Sequence, residues 1–512
     1  LPFRPRAFVG FGIGMAEVLV AGAGPTGLLL AGQLAHAGVP VRIVDRQPAR
    51  CGESRALAVH ARTLEMLDRL GLADEFVARG RRVRAFSMWD GRRRLARIDF
   101  GRLDSAFPFL LDIPQQETEA ILAGYLARAG VGVERSTELV RLAPDPEGVT
   151  VTLRCLVESS LSVRYVVGCD GAHSTVRRQA GLSFDGHGYP QDWLLADVAL
   201  DWDRPADEVH IIFNPAGRAT VCMPLPGDRW RVILYFAGDR SGPPTVDEIA
   251  ELVAERVPGP VTVSDPTWLA AFRTHRRSAS AYRAGRVLLA GDAVHIHSPA
   301  GGQGMNTGLL DADNLAWKLA AVVTGRAGER LLDTYQSERA PVAEQVLGLS
   351  HRLVRLSSLS APWQRALRAL AVPVATALPA VQVRAARRIS QLYVGYRGSS
   401  RIRAGDCAPD AGGLSYRGEP VRLRQLLRGG RHTALLFGGA QVARHAAPVR
   451  SVRIQRTGAG PVIDHTGETH RRYRGHDAYL IRPDGYVAAC GVEAIDRYLL
   501  DYGGDGSSRS RL

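Results

Sequence analysis

At 512 residues, with 46% hydrophobic and 23% charged side chains, the chain is too long for one core and too apolar to be disordered. Two or three globular domains are expected. The net charge of +14 comes almost wholly from arginine, Lys318 being the only lysine, and the arginines are scattered apart from short clusters at 81–84 and 92–94, which argues against a dedicated nucleic-acid face. Six cysteines stand far apart with no C-x-x-C, which excludes a sequence-evident disulfide framework or zinc site and fits a reducing cytoplasm.

The residues ahead of Met15 are expected to lie outside the fold. From Glu17 the chain reads EVLVAGAGPTGLLLAGQLAHAGVPVRIVDR: strand, glycine turn, helix, strand. Gly22 permits the tight turn, Gly24 lets backbone approach a pyrophosphate, and Gly27 lets helix and strand pack. Pro25 and Thr26 sit inside that turn, and the second strand ends on Asp45 and Arg46. An acid at this distance suits the adenosine ribose hydroxyls and repels a 2′-phosphate, so a fixed dinucleotide would be FAD or NAD rather than NADP.

Next comes ESRALAVHARTLEMLDRLGL, with Arg55 ahead of a helix that stops at Gly71. Residues 84–100 and 106–113 have strand character and make Phe86, Met88, Trp89 and Phe109 available to a pocket. Gln115 opens the following segment. VVGCDGAHSTVRRQAG, at 166–181, runs from a strand into an Asp170-Gly171 turn, with Arg177 beyond it. Between 190 and 280, VHIIFN, ATVCMPL and WRVILYF are strand runs, read as an antiparallel sheet inserted into the nucleotide fold and roofing a substrate pocket. Phe213, Met223, Trp230, Tyr235 and Phe236 are its candidate lining residues.

RVLLAGDAVHIHSPAGGQGMNTG, at 286–308, reads as a buried strand, an acidic turn at Gly291-Asp292, a glycine loop through Pro299, Gly302 and Gly304, and a helix beginning near Met305 and Asn306. Leu309, Leu310, Leu315 and Leu319 lie along one side of that helix, and Gly325 stops it. Free N–H groups at a helix start favour something anionic or electron-rich. The His295/His297 pair lacks a third and fourth ligand at recognisable spacing, so no metal is expected. Tyr335, Glu338, Arg339 and Pro341 are read as packing residues. The apolar run at 369–383 holds Pro373 and Pro379, is too short to span a bilayer, and is expected to be a buried helix or linker. A new unit begins near Arg401.

Three of these stretches, in this order, resemble the motifs of the single-component (class A) FAD-dependent aromatic hydroxylases: G-x-G-x-x-G with its acid, the Asp170-Gly171 motif, and GDA followed by P-x-G-G-Q-G-x-N. The wording is most similar to members acting on aromatic polyketides, and the likeness runs over nearly all of 16–491. The resemblance implies an α/β fold: a Rossmann-type FAD-binding domain like that of para-hydroxybenzoate hydroxylase (15–189 and 281–395), an inserted antiparallel-sheet substrate domain (190–280), and a thioredoxin-like C-terminal domain (400–512). Lacking C-x-x-C, that last domain could not run dithiol chemistry.

It also implies cofactor contacts at Gly22, Gly24, Pro25, Thr26, Gly27, Asp45, Arg46, Arg55, Gln115, Asp170, Arg177, Gly291, Asp292, Pro299, Gly302, Gly304, Met305 and Asn306. Asp292 would hold the ribityl chain, and the loop from Pro299 to Asn306 would border the isoalloxazine ring. Met88, Phe213, Met223, Tyr235 and Pro299 would line the substrate pocket. The implied chemistry belongs to bound FAD: reduction at N5 by visiting NADPH or NADH, addition of dioxygen at C4a, and attack of the resulting hydroperoxide on an electron-rich aromatic carbon. No acid–base triad is needed, and no catalytic residue is assigned. The expected partners are a small aromatic substrate and dioxygen, with a homodimer allowed and neither nucleic acid nor a membrane; the expected location is the cytoplasm. Baeyer–Villiger insertion, epoxidation, antibiotic inactivation and a non-catalytic flavin carrier stay open as alternatives, because fold does not fix function.

Overall fold

The structure, a computed structural model, describes residues 16–50, 52, 56–214, 219–236, 242–296, 301–357, 361–393, 402–443, 449–458 and 460–503. A six-stranded sheet organises the first domain, in the order Arg283–Ala284, Val287–Leu289, Tyr165–Gly168, Val18–Ala21, Val41–Val44, Val133–Glu134. All neighbours pair parallel except the short Arg283–Ala284 edge. Both faces of a parallel sheet must be covered, and its strands are accordingly buried aliphatic runs such as VLVA and YVVG. The helix Pro25–His36 packs against both Gln115–Arg128 and Gly304–Val323. Three segments far apart in sequence thus become three adjacent strands.

The central helix, Gly304–Val323, is buried all round rather than along one stripe. Its polar members Asp311, Asp313, Asn314 and Lys318 are each hydrogen-bonded, which makes such burial tolerable. The helix ends where Gly325 takes φ +70°, donating to the Val322 carbonyl. An antiparallel three-stranded sheet at Glu138–Pro144, Val149–Arg154 and Glu158–Val163 leads into the strand Tyr165–Gly168; the sequence reading had left it out.

The large sheet has eight strands, ordered His295–Ile296, Val261–Ala279, Phe184–Trp202, Arg229–Phe236, Ala219–Leu225, Glu208–Phe213, Ala85–Asp90, Arg93–Asp99. It is not confined to 190–280. Two strands from the first hundred residues complete it, and Glu208–Phe213 joins Ala85–Asp90 in parallel, so the sheet is mixed rather than wholly antiparallel. Its two 19-residue strands, Phe184–Trp202 and Val261–Ala279, run continuously out of the nucleotide domain and tie the two units together. The helix Val246–Arg256 packs on one face through Ile249 and Val253.

Beyond 402, Thr433–Phe437 pairs parallel with Arg450–Gln455 and antiparallel with Ala478–Ile481, which pairs antiparallel with Val487–Cys490 before the helix Val492–Gly503. That is the thioredoxin-like arrangement, widened by three more strands. The 369–383 run corrects the expectation of a buried helix. It lies in two helices, Pro362–Ala377 and Pro379–Ile389, bent by 98°, and Leu370, Val374 and Leu378 on them are exposed because no other part of the described chain covers them. Among the described residues no single helix is long and apolar enough to cross a membrane.

Candidate active site

The glycine turn, the Asp170 turn and the Asp292 turn follow the carboxyl ends of three neighbouring parallel strands, Val18–Ala21, Tyr165–Gly168 and Val287–Leu289. In open α/β sheets that edge is where ligands bind. Gly22 sits at φ +101°, and a Cβ there would lie 2.3 Å from the Cys169 carbonyl oxygen, so the first two motifs touch. Cβ atoms on Gly291 and Gly308 would come within 2.7 and 2.5 Å of the Thr26 hydroxyl, so the third motif packs on the first helix as well. Gly27 packs on the Gly22 carbonyl, as the motif requires.

The residues present fit a dinucleotide. Gly24 caps the helix that begins at Pro25 with no side-chain capping bond, and a Cβ on it would meet nothing within 4 Å. Room is therefore left beside the start of that helix, and no side chain caps its N–H groups, as a pyrophosphate requires. Asp45 accepts from the Ala23 N–H at 2.6 Å and the Gln47 N–H at 2.8 Å, so it also closes the glycine turn. A carboxylate offers about four lone pairs, which leaves capacity for ribose hydroxyls. Arg46 is exposed beside it, and Asp292 is exposed between buried Gly291 and Ala293.

Other candidates hold the frame. Gln115 accepts from the Ala56 N–H at 3.0 Å and donates to Glu119 at 2.9 Å. Asp170 accepts from the N–H groups of Thr175 and Val176. Arg177, expected as a cofactor contact, is 4% exposed, stacks 3.8 Å from the Phe184 ring, and donates to the carbonyls of Ala172 and Ala293. Its guanidinium joins the second motif to the third. Asn306 is fully buried and saturated: it donates to Ala58 and Gly302 carbonyls and accepts from the His60 N–H and the Thr63 hydroxyl. It knits the glycine loop to the strand Ala58–Val59, against which Gly302 packs. Gly304 is the first residue of the central helix, and Met305 packs, half-buried, on the core. Arg55, His297 and Pro299 lie outside the described residues.

Residues the sequence reading missed surround this frame. His60, fully buried, bonds to the Gly302 carbonyl at 3.1 Å, and burial pushes its pKa down to about 4. Burial alone would raise the Asp311 carboxyl, but Arg339 and His295, each at 2.7 Å, hold it below the ordinary range. Arg339 also donates to the Thr307 carbonyl, so the Tyr335–Pro341 stretch braces the helix start. Gln303 donates to the Ile389 carbonyl and accepts from Gln391, tethering the glycine loop to the outer helices.

Alternation along the large sheet sorts the pocket candidates. Trp89, Trp230 and Phe236 point to the core around Val246–Arg256, so they leave the list of lining residues. Met88 is in register with Ile211, and Ile211 and Met223 pack towards the nucleotide domain. Phe213 and Tyr235 share that face, where Tyr235 meets Trp193 edge-on at 5.8 Å. Met88 and Phe213 lie under the outer helix Pro362–Ala377, whose Ala369 and Val372 pack on them. Arg368 of that helix is 3% exposed, sits 4.1 Å from the Phe213 ring, and has no acceptor for Nε, Nη1 or Nη2 among the described residues. Further along the same face, Arg231 is paired to Asp197 through two 2.8 Å bonds.

A parallel sheet whose glycine turn and two acidic turns meet at one edge, facing an aromatic-bearing sheet, defines a dinucleotide-dependent oxidoreductase. The FAD binding domain family matches residues 15–350, and the aromatic-ring hydroxylase C-terminal family matches 402–500. The 6-methylpretetramide 4-monooxygenase of Streptomyces rimosus is 40% identical over 510 residues, covering 93% of this chain and 90% of its own. Among solved structures, the anhydrotetracycline hydroxylase from Streptomyces rimosus superposes with a TM-score of 0.79 at 32% identity, over 95% of this chain and 99% of the other. A ternary complex of aklavinone-11 hydroxylase with FAD and aklavinone gives 0.73 at 25% identity, over 96% and 99%. The chain belongs to the FAD-binding aromatic-ring hydroxylases and is an FAD-dependent monooxygenase.

Proposed function

We propose that this enzyme uses NADPH or NADH and dioxygen to hydroxylate a bulky phenolic or quinone-type aromatic of the polyketide kind. Bound FAD supplies the redox and oxygen-activating chemistry. The residues that would hold it are the first turn of Pro25–His36 for the pyrophosphate, Asp45 for the adenosine ribose and Asp292 for the ribityl chain. The start of Gly304–Val323 would offer its positive dipole to negative charge on the flavin ring.

The observation that carries the substrate reading is the sheet face holding Met223, Tyr235 and Trp193, opposite the edge where the motifs meet. A wall that is apolar and aromatic apart from the mutually paired Arg231 and Asp197 suits a flat multi-ring substrate better than a small acid. The relatives named for 6-methylpretetramide, anhydrotetracycline and aklavinone support the same class. A cytoplasmic site of action fits the free thiols at Cys155, Cys169, Cys222, Cys407 and Cys490.

The test is a panel of phenols with NADPH and oxygen, scoring nicotinamide oxidation and oxygenated product by mass. Multi-ring phenols or naphthoquinones should stimulate NADPH oxidation and gain one oxygen. Tight coupling with para-hydroxybenzoate or simple phenol, and no binding of larger rings, would contradict the substrate assignment while leaving the flavin assignment standing.

A further inference from the structure

Leu110–Asp112 is the middle strand of a small antiparallel sheet, between Ala58–Val59 and Arg81–Val83. Its last residue, Asp112, is fully buried, and neither carboxylate oxygen has a hydrogen-bond partner among the described residues. No other buried carboxylate of the described chain has both oxygens unanswered; Asp197, Asp311, Asp313 and Asp484 are each paired with an arginine. A buried carboxyl without a partner costs stability, and it calls for a group that the chain itself does not supply.

The position of Asp112 says where that group would come from. Asp112 lies directly opposite Ala58, and cross-strand partners share a face of their sheet. A Cβ on Gly302 would lie 2.8 Å from the Ala58 side chain, and Asn306 donates to the Ala58 carbonyl. One side chain therefore separates Asp112 from the glycine loop. On its other side, the strand Ala219–Leu225 of the large sheet packs against Leu110–Asp112. Arg231, in register with Met223 of that strand, is near enough to act on the Asp112 charge. Arg231 nonetheless stays on Asp197, and its guanidinium lies 5.1 Å from the Trp268 ring. Arg81, the neighbour of Asp112 on the remaining strand, reaches outward to the Ala206 carbonyl and to Asp228.

We propose that Asp112 is the group that recognises a phenolic hydroxyl of the aromatic substrate, between the glycine loop and the sheet face that carries Met223 and Tyr235. The assignment rests on the multi-ring substrate proposed above. Burial pushes the Asp112 carboxyl well above the ordinary carboxylate range, with Arg231 pulling the other way, which favours the protonated form. A protonated carboxyl donates as well as accepts, so it can answer a hydroxyl in either sense. Met223 is half-buried and unbranched, a side chain that can shift aside to admit a ring. One acid in an otherwise apolar stretch would fix which edge of the ring system turns to the flavin, which makes Asp112 a determinant of the position hydroxylated.

The experiment titrates the FAD-loaded, full-length protein with 2-naphthol and with naphthalene, followed by flavin absorbance and fluorescence. Wild type should bind 2-naphthol about tenfold or more tightly than naphthalene, the effect of one hydrogen bond to a buried polar group. Asp112→Leu should bind the two alike, with unchanged FAD content and a raised melting temperature, because the unanswered carboxyl is gone. Asp112→Asn should keep the preference, since its amide still accepts from the hydroxyl. A wild type without the preference, or a preference that survives Asp112→Leu, would overturn the recognition role and leave the multi-ring substrate reading standing. A lowered melting temperature in Asp112→Leu with loss of both compounds would overturn it too, by making Asp112 a structural residue. Failure of wild type to bind either compound would overturn both readings.

Discussion

Arg368 holds a buried guanidinium with no acceptor among the described residues, an arrangement that costs stability in the substrate-free protein. Replacing it with methionine should therefore raise the resting protein's stability by about 1–2 kcal/mol. A thermal scan followed by flavin fluorescence checks this; a lower midpoint would show that stacking of the guanidinium on Phe213 outweighs the missing acceptors. The cysteines of the C-terminal domain behave oppositely. Burial pushes the thiols of Cys407 and Cys490 up to about 11, so at neutral pH neither is a nucleophile. Cys407→Ser and Cys490→Ser should leave turnover intact, and loss of flavin reduction in either would reveal a redox role. His60 and His432 are buried in neutral form, both pushed down to about 4 by burial. The unfolded chain takes up protons near 6.5 that the folded one refuses, so their contribution is complete above about 6.5 and is lost as pH falls from there towards 4. Equilibrium denaturation at pH 7.5, 6.5, 5.5 and 4.5 should show the decline beginning below 6.5, and His432→Phe should make it shallower. A decline confined to below 4.5 would point to carboxylates instead.

At the scale of elements, the central helix does two jobs at different points along its length. Its start anchors the glycine loop through Asn306, while its later turns hold the C-terminal domain. Glu338 accepts from Lys318, Asn314 and Arg482, and Asp484 accepts from Trp317, Asn314 and Arg482. Burial lowers the pKa of Lys318 to about 8 against the pull of Glu338. Removing one partner from a buried charge network leaves the others uncompensated, at about 3–5 kcal/mol. Arg482→Met, which takes from Asp484 the cation bonded to it and from Glu338 one of two, should destabilise the protein by that order, and Lys318→Met by less, because Arg482 still answers both carboxylates. Urea unfolding measures both; equal and negligible effects would mean the domains are held by apolar packing alone. Glu338 and Arg339 are structural, as read, but Glu338 reaches Arg482, 144 residues on, a pairing no local pattern announces.

For the molecule as a whole, what was legible was local. The spacing of Gly22, Gly24 and Gly27 and the acid at Asp45 follow from the geometry of one strand–turn–helix unit, and the structure builds that unit where it was read. Alternation marks Ala219–Leu225 and Arg229–Phe236 as strands, but it does not say which face meets the nucleotide domain, because that is set by the covering helix Val246–Arg256; Tyr235 and Trp230 therefore look alike in the sequence although they point opposite ways. Long-range register was equally hidden, so Ala85–Asp90 and Arg93–Asp99 were not assigned to the large sheet. Arg177 is an intermediate case: its motif was seen, but its guanidinium binds the chain's own carbonyls. The central claim is that three distant turns hold one FAD at the carboxyl edge of the parallel sheet, with Asp292 on the ribityl chain. Its most direct test is FAD affinity, measured by flavin fluorescence on reconstituted apoprotein, for wild type and Asp292→Ala. Wild type should be yellow as purified, and Asp292→Ala should keep its fold but bind FAD more than about tenfold less tightly, ~1.4 kcal/mol. A colourless wild type that cannot be reconstituted, or an Asp292→Ala variant with wild-type affinity, would contradict the claim.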